Sequence, residues 1–145
     1  MFMKGIMWGA ALSVATLGLG AAQAATLTFT VQNRITTSAI TNSYLNACAP
    51  IIPGLASIPA NSTSLTHQTD CGTTSAVHFD YTNGSKTCRF SLSSIYTPPN
   101  PILGTSAYWT PNGTATSRGS TSATCRATLT SIGTNGNYTW ALSIQ

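Results

Sequence analysis

Residues 75–92 read Ser-Ala-Val-His-Phe-Asp-Tyr-Thr-Asn-Gly-Ser-Lys-Thr-Cys-Arg-Phe-Ser-Leu, and no other stretch restricts the fold so strongly. Val77, Phe79 and Tyr81 alternate with polar residues before Asn83-Gly84, and Lys86, Cys88, Phe90 and Leu92 share one parity after it. Alternation of period two belongs to a strand with one face in a core and the other in water. Asn-Gly supplies the two positive-φ positions of a type I′ hairpin turn. As a two-residue loop it sets Phe79 opposite Cys88 and Val77 opposite Phe90, so the apolar sets of both strands fall on one face. The reverse face gathers His78, Asp80 and Arg89.

The end of the chain uses the same device. Residues 121–132 and 137–144 form a second hairpin turning at Asn135-Gly136, with Leu129 opposite Leu142, Ala127 opposite Ile144, and Tyr138 and Trp140 in the same apolar row. Residues 26–31 form a strand with Leu27, Phe29 and Val31 inward. From Asn33 to Pro59 the alternation decays into short strands around Ile35, Ile40, Leu45 and Ile58, punctuated by Pro50, Pro53, Gly54 and Pro59. A Thr/Ser-rich strand is predicted near Ser64 to His67, and Asp70 serves as a turn former in Asp-Cys-Gly. Pro98-Pro99-Asn100-Pro101 makes a stiff connection of polyproline II character. Ala107 to Thr110 is a short strand closed by Pro111-Asn112-Gly113, followed by a loop through Arg118. No helical period and no repeat occur after residue 24, which predicts an all-β, mostly antiparallel sandwich of about seven to nine strands.

Residues 1–24 carry a lone Lys4, an apolar run from Ile6 to Leu19 and the small-x-small triplet Ala22-Gln23-Ala24, the pattern of a secretory signal of bacterial type. The run is shorter than the ~20 residues a membrane span needs, so the remainder is expected to be soluble and exported to the periplasm or beyond. Residues 25–145, that is 145 minus 24 or 121 residues, suit a single all-β domain. Cys48, Cys71, Cys88 and Cys125 in an oxidising compartment predict two disulfides. Joining Cys71 to Cys88 would require the strand to fold back over roughly 26 Å. Cys88 and Cys125 both face inward on their hairpins, so the expected bridges are Cys48–Cys71 and Cys88–Cys125. No Cys-x-x-Cys pair points to a metal. Asn61, Asn83, Asn112 and Asn137 head glycosylation sequons, which stay bare in bacterial export.

Asp70 and Asp80 are the only acids, and loss of Lys4 lowers the formal charge from +4 to +3. Arg34, Lys86, Arg89, Arg118 and Arg126 are scattered along the chain, so the footprint of a nucleic-acid binder is not expected. His78, Asp80 and Arg89 would make either a small polar site or a cross-strand ion pair, and the ion pair is the expectation. A serine triad with His78 or His67 lacks a Gly-x-Ser-x-Gly elbow. A glycosidase pair would have to use Asp70 and Asp80, one in a turn and one on a strand. No catalytic residue, cofactor or metal ligand is therefore assigned.

Neighbours on a strand point to opposite faces, so one of Tyr108 and Trp109 should be exposed, close to Asn112 at a loop tip. This trio is the candidate binding site, for a glycan or a lipid headgroup. The alternatives are a self-assembling surface or matrix protein with open sheet edges, and a small secreted hydrolase. A first strand ending near Asn33, the Ile-Pro-Ala-Asn-Ser run at residues 58–62 and the Ala-Val-His-Phe-Asp-Tyr run at residues 76–81 resemble aegerolysin-type lipid-binding β-sandwiches. The resemblance implies a sandwich fold and lipid binding. The disulfides and basic charge depart from that family, and no site residue is carried over.

Overall fold

The computed structural model describes residues 25–145, so the secretory signal predicted for residues 1–24 lies outside the described residues. Nine strands follow one another: β1 (Thr26–Asn33), β2 (Thr41–Ala47), β3 (Ser62–Thr63), β4 (His67–Asp70), β5 (Thr74–Asn83), β6 (Lys86–Thr97), β7 (Tyr108–Ser117), β8 (Cys125–Ile132) and β9 (Tyr138–Ile144). A single 3-10 turn at Thr134–Gly136 is the one helical element among the described residues. Sheet I has the order β3-β1-β9-β8, with β4 also paired to β1, and sheet II has the order β2-β5-β6-β7. Every strand pair is antiparallel except β1 with β9. The fold is thus the disulfide-stapled, mostly antiparallel two-sheet arrangement that the alternation predicts.

The inward rows of the two sheets meet in one cluster. Leu27, Phe29 and Val31 of β1, Val77, Phe79 and Tyr81 of β5, and Phe90 and Leu92 of β6 are almost wholly buried. Phe29 stacks on Phe79 across the sheets with ring centroids 5.0 Å apart. Each such side chain contributes about 1.5–3 kcal/mol relative to leaving it in water.

The central hairpin differs from expectation by two residues. Asn83 pairs with Lys86, so the loop is Gly84-Ser85, and Phe79 lies opposite Phe90, Val77 opposite Leu92 and Tyr81 opposite Cys88. Gly84 has φ 52° and takes the first central position, where a type II′ turn needs its one left-handed residue. Because the offset is two and not one, every side chain keeps its face. The second hairpin is also offset by two residues beyond its bulge, in the opposite direction. Ala127 pairs with Leu142 and Leu129 with Trp140, and the pairing shifts between Leu129 and Ser131. Its connection is longer than Asn135-Gly136, closed by the Gly133 N–H on the Asn137 carbonyl at 2.7 Å, and β8 starts at Cys125, not at Thr121.

Pro111-Asn112-Gly113 does not end a strand. β7 continues through it to Ser117. Pro111 is tolerated because β7 is an edge strand and needs no ladder donor on its open side. Gly113 is required for a different reason: a Cβ there would run into the six-membered ring of Trp140, which crosses directly over it. The Thr/Ser-rich segment near residue 64 splits into β3 and β4, both on β1.

Both expected disulfides are present, Cys48–Cys71 and Cys88–Cys125. Each joins sheet I to sheet II, the first just past β2 and β4, the second from β6 to β8. Between the strands, buried side chains take over from the ladder. Asn33 donates from Nδ2 to the Ser38 and Pro59 carbonyls at 3.0 and 2.9 Å and accepts the Ile35 N–H at 3.0 Å. The Tyr81 hydroxyl donates to the Ala56 carbonyl at 2.9 Å, and burial pushes its pKa up from 10.0 to about 12.

Two outcomes are expected. Replacing Cys88 and Cys125 together by Ser should cost about 4 kcal/mol on the loop-entropy relation for 37 residues, enough to unfold a domain of this size in thermal melts. Native Tyr81 holds its proton more tightly than the unfolded chain does. Its stabilisation is therefore complete below the ordinary value of 10.0 and is lost as pH rises toward about 12. Tyr138, raised for the same reason, adds to that loss. Melting temperatures followed across this window should fall less steeply in Tyr81→Phe, which also forfeits about 1 kcal/mol of hydrogen bonding at neutral pH.

Candidate functional site

β6 and β7 are joined by residues 98–107, where three prolines exclude regular pairing. The tip is nevertheless well defined. Asn100 and Thr105 exchange both backbone hydrogen bonds, at 3.0 and 3.1 Å. The Asn100 Oδ1 accepts the N–H groups of Ile102 and Leu103 at 3.0 and 3.2 Å. This side-chain bridge satisfies the turn from within and leaves its two aliphatic side chains no inward place. Ile102 is 92% exposed and Leu103 73%.

Behind them an open recess of about 500 Å³ is walled by Pro98, Pro99, Pro101, Leu103 and Tyr108. The chain has no carboxylate, Lys, Arg or His between Arg89 and Arg118. The whole tip is therefore apolar, with uncharged polar groups around it.

The three residues singled out in the sequence are separated by the pleat. Tyr108 is 55% exposed and borders the recess. Trp109 turns inward, its ring 5.0 Å from that of Tyr96 and laid against the Gly136 backbone. Asn112 shares the outer face of β7 with Tyr108, but it sits mid-strand opposite Ser93 and not at a loop tip. Only Tyr108 belongs to the apolar tip. Ile102 and Leu103 were missed, although two adjacent aliphatics between Pro101 and Gly104 are a readable signal: no strand alternation buries both.

The polar trio on β5 and β6 forms the expected cross-strand pair. Arg89 donates from Nε to Asp80 Oδ1 at 2.7 Å and from a terminal nitrogen to Oδ2 at 2.8 Å. Its guanidinium lies 4.8 Å over the Tyr44 ring. The hydrogen bond to Asp80 raises the Arg89 pKa above its ordinary value, against a smaller opposing effect of desolvation. His78 is exposed and its Nδ1 bonds the Ser91 hydroxyl at 2.8 Å instead of Asp80. His67 is buried beside Phe29, and its Nδ1 donates to the Pro53 carbonyl at 2.7 Å.

Among the described residues, the remaining cations are not scattered in space. β1 and β9 run parallel, so Arg34, just past β1, lies at the same end of sheet I as Arg126 near the start of the returning β8. The Cys88–Cys125 bridge brings the start of β6 to that end with Lys86. Arg118 follows, its N–H on the Thr87 carbonyl at 2.9 Å. Asp80 is engaged by Arg89, and Asp70 lies at the opposite end, paired in register with Thr26. Strand reversal thus collects at one pole what the sequence spaces far apart.

No protein-family model, curated protein or solved structure matches this chain. The aegerolysin-like runs at residues 58–62 and 76–81 lie at the entry to β3 and within β5, away from the tip.

His78→Ala should change unfolding free energy by less than about 1 kcal/mol, since it removes one exposed side-chain bond. Asp80→Asn is expected to cost somewhat more, by breaking a two-pronged pair. Urea titrations of the two variants check the order.

Proposed function

We propose that this chain is an exported binding module, without catalysis, that docks on a lipid surface through the β6–β7 tip. The observation that carries the reading is the exposure of Ile102 and Leu103 on a turn held rigid by Asn100. A rigid tip spends little ordering entropy when it leaves water, and contiguous exposed apolar groups mark interaction surfaces. Tyr108 beside it has an apolar ring and a polar end, suited to the headgroup boundary. A glycan is the weaker reading of the same place, because sugar faces stack on aromatic rings and Trp109 is turned away. The polar trio supports the non-catalytic reading: Asp80 is held by Arg89, and His78 is not bonded to it.

Burying Ile102 and Leu103 yields about 1.5–3 kcal/mol each, so a single tip corresponds to weak, reversible attachment near the millimolar range. Flotation with neutral phosphatidylcholine vesicles at high lipid should carry wild type upward. The variant Ile102→Ser with Leu103→Ser should lose at least about tenfold in partitioning, with stability kept within about 0.5 kcal/mol. Equal flotation of both proteins, no flotation of either, or glycan-array binding abolished by Tyr108→Ala alone would each defeat the lipid reading.

The second reading, self-assembly, is favoured by one feature. β2 is an edge strand of sheet II that exposes Tyr44 (42%) and Leu45 (46%) just after a register shift between Asn42 and Tyr44. Size-exclusion at several concentrations separates the two, since an assembler does not stay monomeric.

A further inference from the structure

We infer that the basic pole is a second binding site, for an acidic polysaccharide, independent of the tip and at the other end of the sandwich. Its centre is an open recess of about 380 Å³ on the outer face of sheet I, lined by Arg34, Arg126, Gln32, Thr63, Thr128 and Ser143 among others. Gln32 accepts the Arg34 Nε–H at 2.8 Å. That contact holds the guanidinium from the side and leaves its two terminal nitrogens free to fork onto an oxyanion. Among the described residues, neither arginine has an acidic partner.

A planar guanidinium matches carboxylate or sulfate geometry with two parallel bonds. The exposed hydroxyls of Thr63 and Thr128 are suited to neighbouring sugar hydroxyls. Lys86 and Arg118 at the same pole extend the cationic surface past the recess, which favours a repeating polyanion over a single small anion.

Two other polyanions fit less well. Duplex DNA carries one charge per ~1.7 Å of axis and draws on a dense basic track, whereas this pole has four cations. A single strand asks for aromatic platforms, and the recess has no aromatic wall. Headgroups of a bilayer met by the tip would lie about 26 Å away along an eight-residue strand, well beyond the ~8 Å screening length. Two disulfides also suit an oxidising compartment outside the cytosol.

The test is retention of the full chain on immobilised dextran sulfate and polygalacturonate, with neutral dextran as the blank. Wild type should be held by both acidic polymers at low salt and released as salt rises, as exposed charge pairs require. Arg34→Gln with Arg126→Gln, checked for unchanged thermal melting, should weaken retention at least about tenfold, the scale of one charge-assisted hydrogen bond. The tip variant Ile102→Ser with Leu103→Ser should be retained like wild type, so failure of the lipid reading leaves this result untouched. Equal retention of the double arginine variant would overturn the proposal, as would equal binding to neutral dextran. So would displacement by single-stranded DNA at lower charge concentration than by dextran sulfate.

Discussion

Sheet I exists because β1 is hydrogen-bonded on both sides, parallel to β9 along its whole length from Leu27 opposite Tyr138 to Asn33 opposite Ile144, and antiparallel to β4 and β3 on its other edge. Remove that strand and the β8–β9 hairpin loses its partner within the sheet, while β4 loses the ladder that makes it part of sheet I. The same strand sends Phe29 onto Phe79, the contact that joins the two sheets through their centres. A parallel pair requires a long crossover, and here nearly the entire described chain is that crossover. Its closure entropy must be met before the pairing is rewarded. The two disulfides shorten the loops over which that closure has to be won.

A body pinned in this way can carry unlike chemistry at its two ends. The β6–β7 connection ends in Ile102 and Leu103 because the Asn100 side chain occupies the inside of the turn, so the aliphatics have only solvent to face. At the other end the chain returns in hairpin after hairpin, and the cations at strand termini accumulate there: Arg34 leaves β1 as Arg126 enters β8. The segregation follows from strand polarity and turn placement, with each patch set on a scaffold that does not depend on it. The Asp80–Arg89 pair lies on the outer face of sheet II, where its fork and the Tyr44 ring cover one another, and it belongs to neither end.

Which face each side chain occupies was legible residue by residue. Leu27, Phe29, Val31, Val77, Phe79, Tyr81, Cys88 and Phe90 are inward as their parity requires. The disulfide partners were legible for the same reason, since Cys88 and Cys125 shared an inward parity on separate hairpins. Register was not. Both hairpins are offset by two residues, because Gly84 occupies the first turn position and the second hairpin has a longer connection with a shifted pair. The candidate site was half legible. The pleat guaranteed that Tyr108 and Trp109 diverge, but only the position of Gly136 and Tyr96 decided that Trp109 is the inward one. Asn112 was misplaced because Pro111 and Gly113 read as a strand end, whereas an open edge tolerates the proline and Trp140 needs the glycine.

Alternation, turn residues and cysteine parity by themselves determined an all-β chain, the inward faces of its strands and the two bridges between its sheets. These are properties of a residue and its immediate neighbours, and the pleat transmits them unchanged wherever the strand is placed. Tertiary structure alone decided that β1 pairs parallel to β9, that β7 runs on past Pro111, and that four cations distant in sequence share one pole. Those outcomes depend on which edges are free when the chain closes and which rings must pass over which backbone. No local pattern records either condition.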